Sequence, residues 1–279
     1  MESKFTHYLI TRFNVKIEGY GPEFFPPGAR ANKWEQERLP LFEKYCVSTV
    51  AAQRSKNFKW LIYCHTATSP EIIECIRRMV NAVPSVSLFF VVDFKDMLSH
   101  IREVCSSSGT PYVITSRLDN DDGIGLDYIQ VVQDHFEPRG NVVLNVLGGI
   151  IYNKANGVLT FHRHSLNNAF ISLIEESNGS QEALTVYGFR HSSPPPSITV
   201  KNIEYAHAFW MTLHGSNVAT RNNRGWPVWP GVHLRHYAID PANVSISVIN
   251  TLYYTFNWFP TALVKKLRFI VRSKFAANS

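Results

Sequence analysis

Along the first half of the chain, short and nearly continuous apolar runs take turns with stretches in which apolar residues recur at helical spacing. The runs His7–Phe13 (HYLITRF), Phe58–Cys64 (FKWLIYC), Val86–Val92 (VSLFFVV) and Pro111–Leu118 read as four strands. The third is so apolar that it is expected to be covered on both faces. Between them, Leu39, Phe42, Cys46, Thr49 and Gln53 fall close to a helical period. Ser69-Pro70-Glu71 joins a cap, a proline at the first helical position and an acid in the first turn. Met97, Ile101 and Val104 mark a further helix, and Ile129, Val132 and Phe136 line one side of another. This alternation predicts an α/β fold, with a mostly parallel central sheet and helices on both faces. Right-handed crossovers make it Rossmann-like. No G-x-G-x-x-G follows the first strand, which argues against dinucleotide binding.

Beyond Asn141 the rhythm is less regular. Val142–Tyr152 and Val158–His162 read as strands, Ser165–Glu176 and Tyr205–Leu213 as helices, and Ser192–Ser197 (SSPPPS) as a loop. From Tyr253 to Phe275 aromatic residues mix with Lys265, Lys266, Arg268, Arg272 and Lys274, and no acid follows Asp240. The chain is therefore read as one domain over residues 1–250 and a basic aromatic tail over 251–279. Within the tail, Ala262–Phe275 has the pattern of an amphipathic helix suited to an anionic membrane surface; the alternative is a helix packed on the domain. No apolar run reaches the roughly 18 residues of a spanning helix.

Composition narrows the setting. With 279 residues, 45% of them hydrophobic, the chain can bury a sizeable core, so global disorder is excluded. A net charge of +6 favours an anionic partner: a nucleotide, a phospholipid surface or nucleic acid. Cys46, Cys64, Cys75 and Cys105 form no C-x-x-C pair and read as reduced thiols of a cytoplasmic protein, and Met1–His7 lacks a secretory-signal pattern.

The segment Thr115–Gly123 (TSRLDNDDG) carries the chemistry. It lies where the fourth strand ends, the rim at which open parallel sheets collect ligands. In an extended segment Asp119 and Asp121 point the same way, and two carboxylates beside a diphosphate suit Mg²⁺ or Mn²⁺. Such an ion neutralises charge building on a nucleotide-diphosphate leaving group. A solvated turn is the competing reading. An EF-hand is excluded, because Ile124 stands where glycine is required. Arg117 is placed to contact donor phosphate or to hold Asp119, and Asp122 to support the metal site or cap the next helix.

Thr49–Gln53 followed by Asn57–Tyr63 resembles the segment joining the first helix to the second strand in family-2 type glycosyltransferases. Closer similarity is to the bacterial rhamnosyltransferase family. It is carried by Ile10–Asn14, Trp34–Glu43 with its Leu41-Phe42-Glu43, Thr115–Asp122, Ser172–Glu175 and Thr185–Tyr187, and spans most of residues 5–225. The resemblance implies a GT-A fold, a nucleotide-diphosphate sugar donor, a metal at Asp119 and Asp121, and a part in surface polysaccharide synthesis. It places Thr11, Arg12, Arg117, Asp119 and Asn120 at the donor. Where the broader family has an acid after the second strand, this chain has Cys64-His65-Thr66, so His65 is expected to meet the nucleotide. Enzymes of this type often complete the metal shell with a C-terminal histidine. His214 is the first candidate and His207, two helical turns earlier, the second. Glu175, Glu176 and His191 are the candidate bases for an acceptor hydroxyl. Lys201, Arg221 and Arg224 are candidates to hold the diphosphate from a closing loop. His162 and His164 share a strand face, as a metal pair or a polar rim. The expected activity is metal-dependent transfer of a sugar to a saccharide or lipid-linked saccharide, with the protein cytoplasmic or peripheral at the plasma membrane. Competing readings are a metal-dependent nucleotidyl- or phosphotransferase, and a non-catalytic carbohydrate- or nucleic-acid-binding module; no nucleic-acid motif is present.

Overall fold

The computed structural model describes residues 3–15, 29–163, 168–177, 183–215 and 225–257. Its main sheet is built from β1 (Phe5–Arg12), β2 (Lys59–His65), β3 (Val86–Val91), β4 (Tyr112–Asp119), β6 (Val142–Val146), β9 (Ile171–Glu176) and β10 (Thr199–Ile203). The order is β10-β6-β9-β4-β1-β2-β3. β1 pairs in parallel with β2 and β4, and β9 runs antiparallel to both its neighbours. This is the Rossmann-like α/β architecture that the alternation predicts.

Period-two alternation places each strand's side chains into opposite cores. Leu9 and Phe13 join one cluster, Tyr8 and Ile10 the other; Trp60, Ile62 and Cys64 separate from Leu61 and Tyr63 in the same way. The first cluster is closed by the helical run α1 (Ala29–Leu41), a π-segment Phe42–Val47 and α2 (Ser48–Ala51), and by α3 (Pro70–Val80) and α5 (Tyr128–Asp134). The second is closed by α4 (Phe94–Ser106) and the segment around Val186, Tyr187 and Ile198. Each fully buried large apolar side chain contributes about 1.5–3 kcal/mol. α3 starts as expected: the Ser69 hydroxyl accepts from Ile72 N and Pro70 opens the first turn.

A second sheet stands beside the first, in the order β12-β8-β7-β11-β5. It holds β5 (Gly123–Ile124), β7 (Gly148–Asn153), β8 (Val158–Arg163), β11 (Phe209–Leu213) and β12 (Trp226–Pro227). Tyr45, Tyr152, Trp210 and Tyr237 form its aromatic core with Ile150 and Leu159. The short helix α6 (Pro230–His233) and the helix α7 (residues 248–257) lie beside it.

Three expectations are corrected. Residues 171–176 and 209–213 are strands, because tertiary pairing overrides the helical reading of their apolar positions. β3 is an edge strand, so its apolar run is half-exposed and Phe90 faces solvent. The amphipathic stretch Ala262–Phe275 lies outside the described residues.

β5 fixes the acidic segment to the rest of the fold. A Cβ on Gly123 would stand 2.8 Å from Tyr45 O, and one on Gly125 would stand 1.8 Å from His207 O. Gln53 clamps the same turn, donating to Gly125 O and accepting from Ile129 N. Gly125→Ala is therefore expected to lose about 1–3 kcal/mol through overpacking against backbone. Gly231→Ala, with open space around it, is expected to be neutral; thermal unfolding of the two variants checks this.

Candidate active site at the carboxyl rim of the sheet

β1, β2 and β4 end at one rim, bringing Arg12, His65 and Asp119 to the same edge; Arg12 lies opposite Asp119 in register. After Asp119 the chain turns, with Asp122 N reaching back to Asp119 O at 3.3 Å. The turn overturns the extended geometry expected for the acidic pair. The two carboxylates diverge, each to its own arginine.

Asp119 faces Arg117. The guanidinium Nη2 lies 3.1 and 2.9 Å from the two carboxylate oxygens, and Nε adds a contact at 3.3 Å. The same guanidinium stacks 5.3 Å over the Tyr187 ring and donates from Nη1 to His191 Nδ1 at 3.3 Å. Burial, and then the Arg117 charge, push the His191 imidazole down to about 4. His191 is thus neutral at physiological pH.

Asp121 faces the other way, toward α1. Its Oδ2 lies 2.5 Å from Arg38 Nη1 and 2.8 Å from His214 Nε2. Arg38 Nη1 also lies 3.2 Å from His214 Nε2 and 3.5 Å from Asn120 Oδ1. Its guanidinium carbon sits 4.9 Å over the Trp34 ring. Burial raises the Asp121 carboxyl, but the His214 contact and the Arg38 charge outweigh it and hold the group at about 2. Asp122 goes the opposite way: burial, with Asp121 and Asp119 nearby, pushes its carboxyl well up. Asp122 Oδ1 accepts from Thr212 N at 2.8 Å, so it ties the turn to β11, and it is neither a cap nor a rim group. A depressed folded-state value adds stability that is complete above about pH 4 and lost as pH falls toward 2; Asp121 contributes in this sense.

The donor types around Arg38 suit a divalent ion: a carboxylate oxygen, an amide oxygen and an imidazole nitrogen converge on one point. That point is held by Nη1. Asp119 is not part of the set, and among the described residues no group of three or more His, Cys, Asp or Glu side chains could hold a metal ion. A metal here would rest on Asp121, Asn120 and His214, in place of Arg38.

Other expected site residues lie elsewhere. Glu175 and Glu176 pair with Val113 and Tyr112, at the opposite end of β4 from Asp119. Both Glu175 oxygens are taken by backbone N–H groups of Leu184 and Thr185. Because β9 runs antiparallel to β4, it carries both to the edge where β4 begins, so neither reaches the rim. Thr11 is buried and its hydroxyl accepts from Trp60 Nε1. Lys201 lies on edge strand β10 and pairs with Glu137. His207 sits at the other end of β11 from His214, stacked 3.8 Å on His236. His162 lies on β8 in the second sheet. Arg221, Arg224 and His164 lie outside the described residues. His65 is at the rim, its Nδ1 accepting from Ala67 N.

Two residues inside the resembling segment Trp34–Glu43 carry site roles that the sequence did not assign. Glu35 and Arg38 are both buried on α1, where they continue the stripe of Leu39, Phe42 and Cys46. Charged residues on an apolar helix face were the available signal. Glu35 accepts from the Asn14 amide, and the same amide donates to Thr68 Oγ1 at 2.9 Å. Burial raises the Glu35 carboxyl.

The site is a cationic rim of Arg12, Arg38 and Arg117 balanced by Asp119 and Asp121, on an α/β scaffold of the kind that binds anionic ligands at strand ends. The sequence model of a family described as "Putative rhamnosyl transferase" matches residues 29–225. The chain belongs to that family and is a glycosyltransferase. A comparison with curated proteins gave no match. Among solved structures, HddC from Yersinia pseudotuberculosis is similar at 9% identity and TM-score 0.39, over 73% of this chain and 92% of that one. S. aureus TarS is similar at 10% identity and TM-score 0.36, over 76% of this chain and 37% of that one. TarS 1-349 in complex with UDP is similar at 10% identity and TM-score 0.38, and this chain spans 61% of its length.

The Arg117–His191 contact is directly testable. By NMR, His191 is expected to titrate near pH 4 in the wild type. In Arg117→Gln it should move up toward the usual value near 6.5, since the neighbouring positive charge is gone. An unchanged titration would show that Arg117 does not set it.

Proposed function

We propose that the protein is a GT-A type transferase that moves a sugar, with rhamnose the candidate, from a nucleotide-diphosphate donor to a hydroxyl of a saccharide or lipid-linked saccharide in surface polysaccharide synthesis. The observation that carries the proposal is the pairing of rim arginines with Asp119 and Asp121 at the carboxyl ends of β1 and β4. Such paired guanidiniums are preorganised to exchange carboxylate for phosphate oxygens. Arg117 and Arg12 are assigned to the diphosphate, and His65 to the nucleoside side of the rim. His191, neutral and with its Nδ1 accepting from Arg117, carries its proton on Nε2 and is assigned to donate to the acceptor hydroxyl oxygen, positioning it. Asp121, Asn120 and His214 are assigned to Mn²⁺ or Mg²⁺. When bound, that ion supplies Lewis-acid neutralisation of the departing diphosphate.

The reading extends to a membrane surface. On α7, Ile249, Leu252, Tyr253 and Phe256 are 80%, 45%, 71% and 74% exposed. They fall at i, i+3, i+4 and i+7, one apolar stripe, while Thr251 faces inward. Asn250 bonds Asn156 O in the turn after β7, and β7 ends beside Leu213, one residue before His214. These contacts anchor α7 to the turn after β7, and the residues after it carry Lys265, Lys266, Arg268, Arg272 and Lys274 without an acid. Among the described residues no helix is long and apolar enough to cross a membrane.

Two measurements test these readings. Incubation with UDP-, GDP- and dTDP-sugars is expected to release nucleoside diphosphate, with Asp121→Ala reducing the rate at least about a hundredfold, the scale of losing one transition-state charge contact; release of pyrophosphate would indicate nucleotidyl transfer instead. In vesicle flotation, the protein is expected to rise with phosphatidylglycerol vesicles and not with neutral phosphatidylcholine. Ile249→Glu/Phe256→Glu should stay at the bottom of the gradient; equal flotation of that variant would remove α7 from the contact.

A further inference from the structure

Arg38 is held differently from Arg117. Arg117 grips both oxygens of Asp119 through Nε and Nη2. Arg38 offers Asp121 one nitrogen, Nη1, and that nitrogen is the point on which Asn120 Oδ1 and His214 Nε2 also converge. Asp121 Oδ2 and His214 Nε2 are 2.8 Å apart. That distance is the length of a hydrogen bond. A carboxylate oxygen, an amide oxygen and an imidazole nitrogen, donor types that a divalent ion also takes, thus surround one guanidinium nitrogen.

From this the geometry points to Arg38 as the resident counter-ion of the site: it fills the cation position in the empty enzyme and leaves it for the donor's diphosphate when a divalent ion binds. Arg38 and the ion exclude each other twice over. Nη1 and a metal cannot both lie against Asp121 Oδ2, and two cations at such separation repel. A buried guanidinium stripped of its carboxylate is costly unless another anion receives it. The Arg38 side chain is 9% exposed, so a diphosphate at the rim is the natural recipient. Ion and nucleotide thus bind with positive coupling, each easing entry of the other. The inference rests on the donor and metal assignments above and adds Arg38 as the residue that links them.

The test is Mn²⁺ binding to the full chain, read by electron paramagnetic resonance of the free ion, with and without UDP, GDP or dTDP. Wild type is expected to bind Mn²⁺ at least about tenfold more weakly alone than with the preferred nucleotide. Arg38→Gln should bind Mn²⁺ without nucleotide at least about tenfold more tightly than wild type, and Arg38→Gln/Asp121→Asn should lose that gain. Arg38→Lys keeps a cation in place and should exclude the ion as wild type does, a distinction that a purely structural role for Arg38 would not produce. Circular dichroism confirms folding; if Arg38→Gln is unfolded, Arg38→Met replaces it. Equal Mn²⁺ affinity of wild type and the neutral variants, in a protein that binds Mn²⁺ with nucleotide, overturns the inference and leaves the metal assignment standing. Nucleotide binding indifferent to Mn²⁺ in every variant, with no ion bound by Arg38→Gln, overturns both.

Discussion

A buried carboxylate facing a buried guanidinium holds this rim together. Asp121 and Arg38 come from parts of the chain 83 residues apart, and their contact seats α1 against the turn after β4. Removing one partner of such a pair strands the other charge, at a cost of about 3–5 kcal/mol. His214 adds the second sheet to the same point. One carboxylate therefore joins a helix, the central sheet and β11. Asp122 repeats the arrangement with its hydrogen bond to Thr212 N, and Asn120 with its bond to Phe13 O. The acidic turn is an internal keystone at the rim of the sheet.

The two sides of the rim are built for different tasks. On the α1 side the groups are packed tightly: Trp34 covers Arg38, and the Asn14–Glu35–Thr68 network fills the gap toward β2. On the other side Arg117 sits between Asp119, the Tyr187 ring and His191. His191 is kept uncharged there, and its Nδ1 already accepts from Arg117, so only its Nε2 edge remains for another partner. The pH at which this imidazole changes state lies far below neutrality, so its charge does not change across the physiological range.

Much of this was legible in the sequence. The helices through α5 announce themselves because each buries one face, and β1, β2 and β4 because they are apolar on both, and Asp119-Asn120-Asp121 marks the rim because it follows a buried strand. The departures have physical causes. Ile171–Glu176 and Phe209–Leu213 become strands through partners distant in sequence, which no local window contains. The D-x-D spacing indicates a shared direction only if the chain is extended, and it turns at that point. Arg38 drew no role because an arginine in a helix that also carries Lys33, Glu35 and Glu37 reads as surface. Only the register of that helix against Leu39 and Phe42 shows that it points inward.

The reversal of β9 has a practical side. Because that strand returns Glu175 and Glu176 to the edge where β1 and β4 begin, this edge carries backbone clamps and surface ion pairs such as Lys201–Glu137. A fusion partner, surface linker or fluorescent label joined ahead of Phe5 emerges there, on the side turned away from the arginines. Immobilised by that edge, the enzyme would present its chemistry outward.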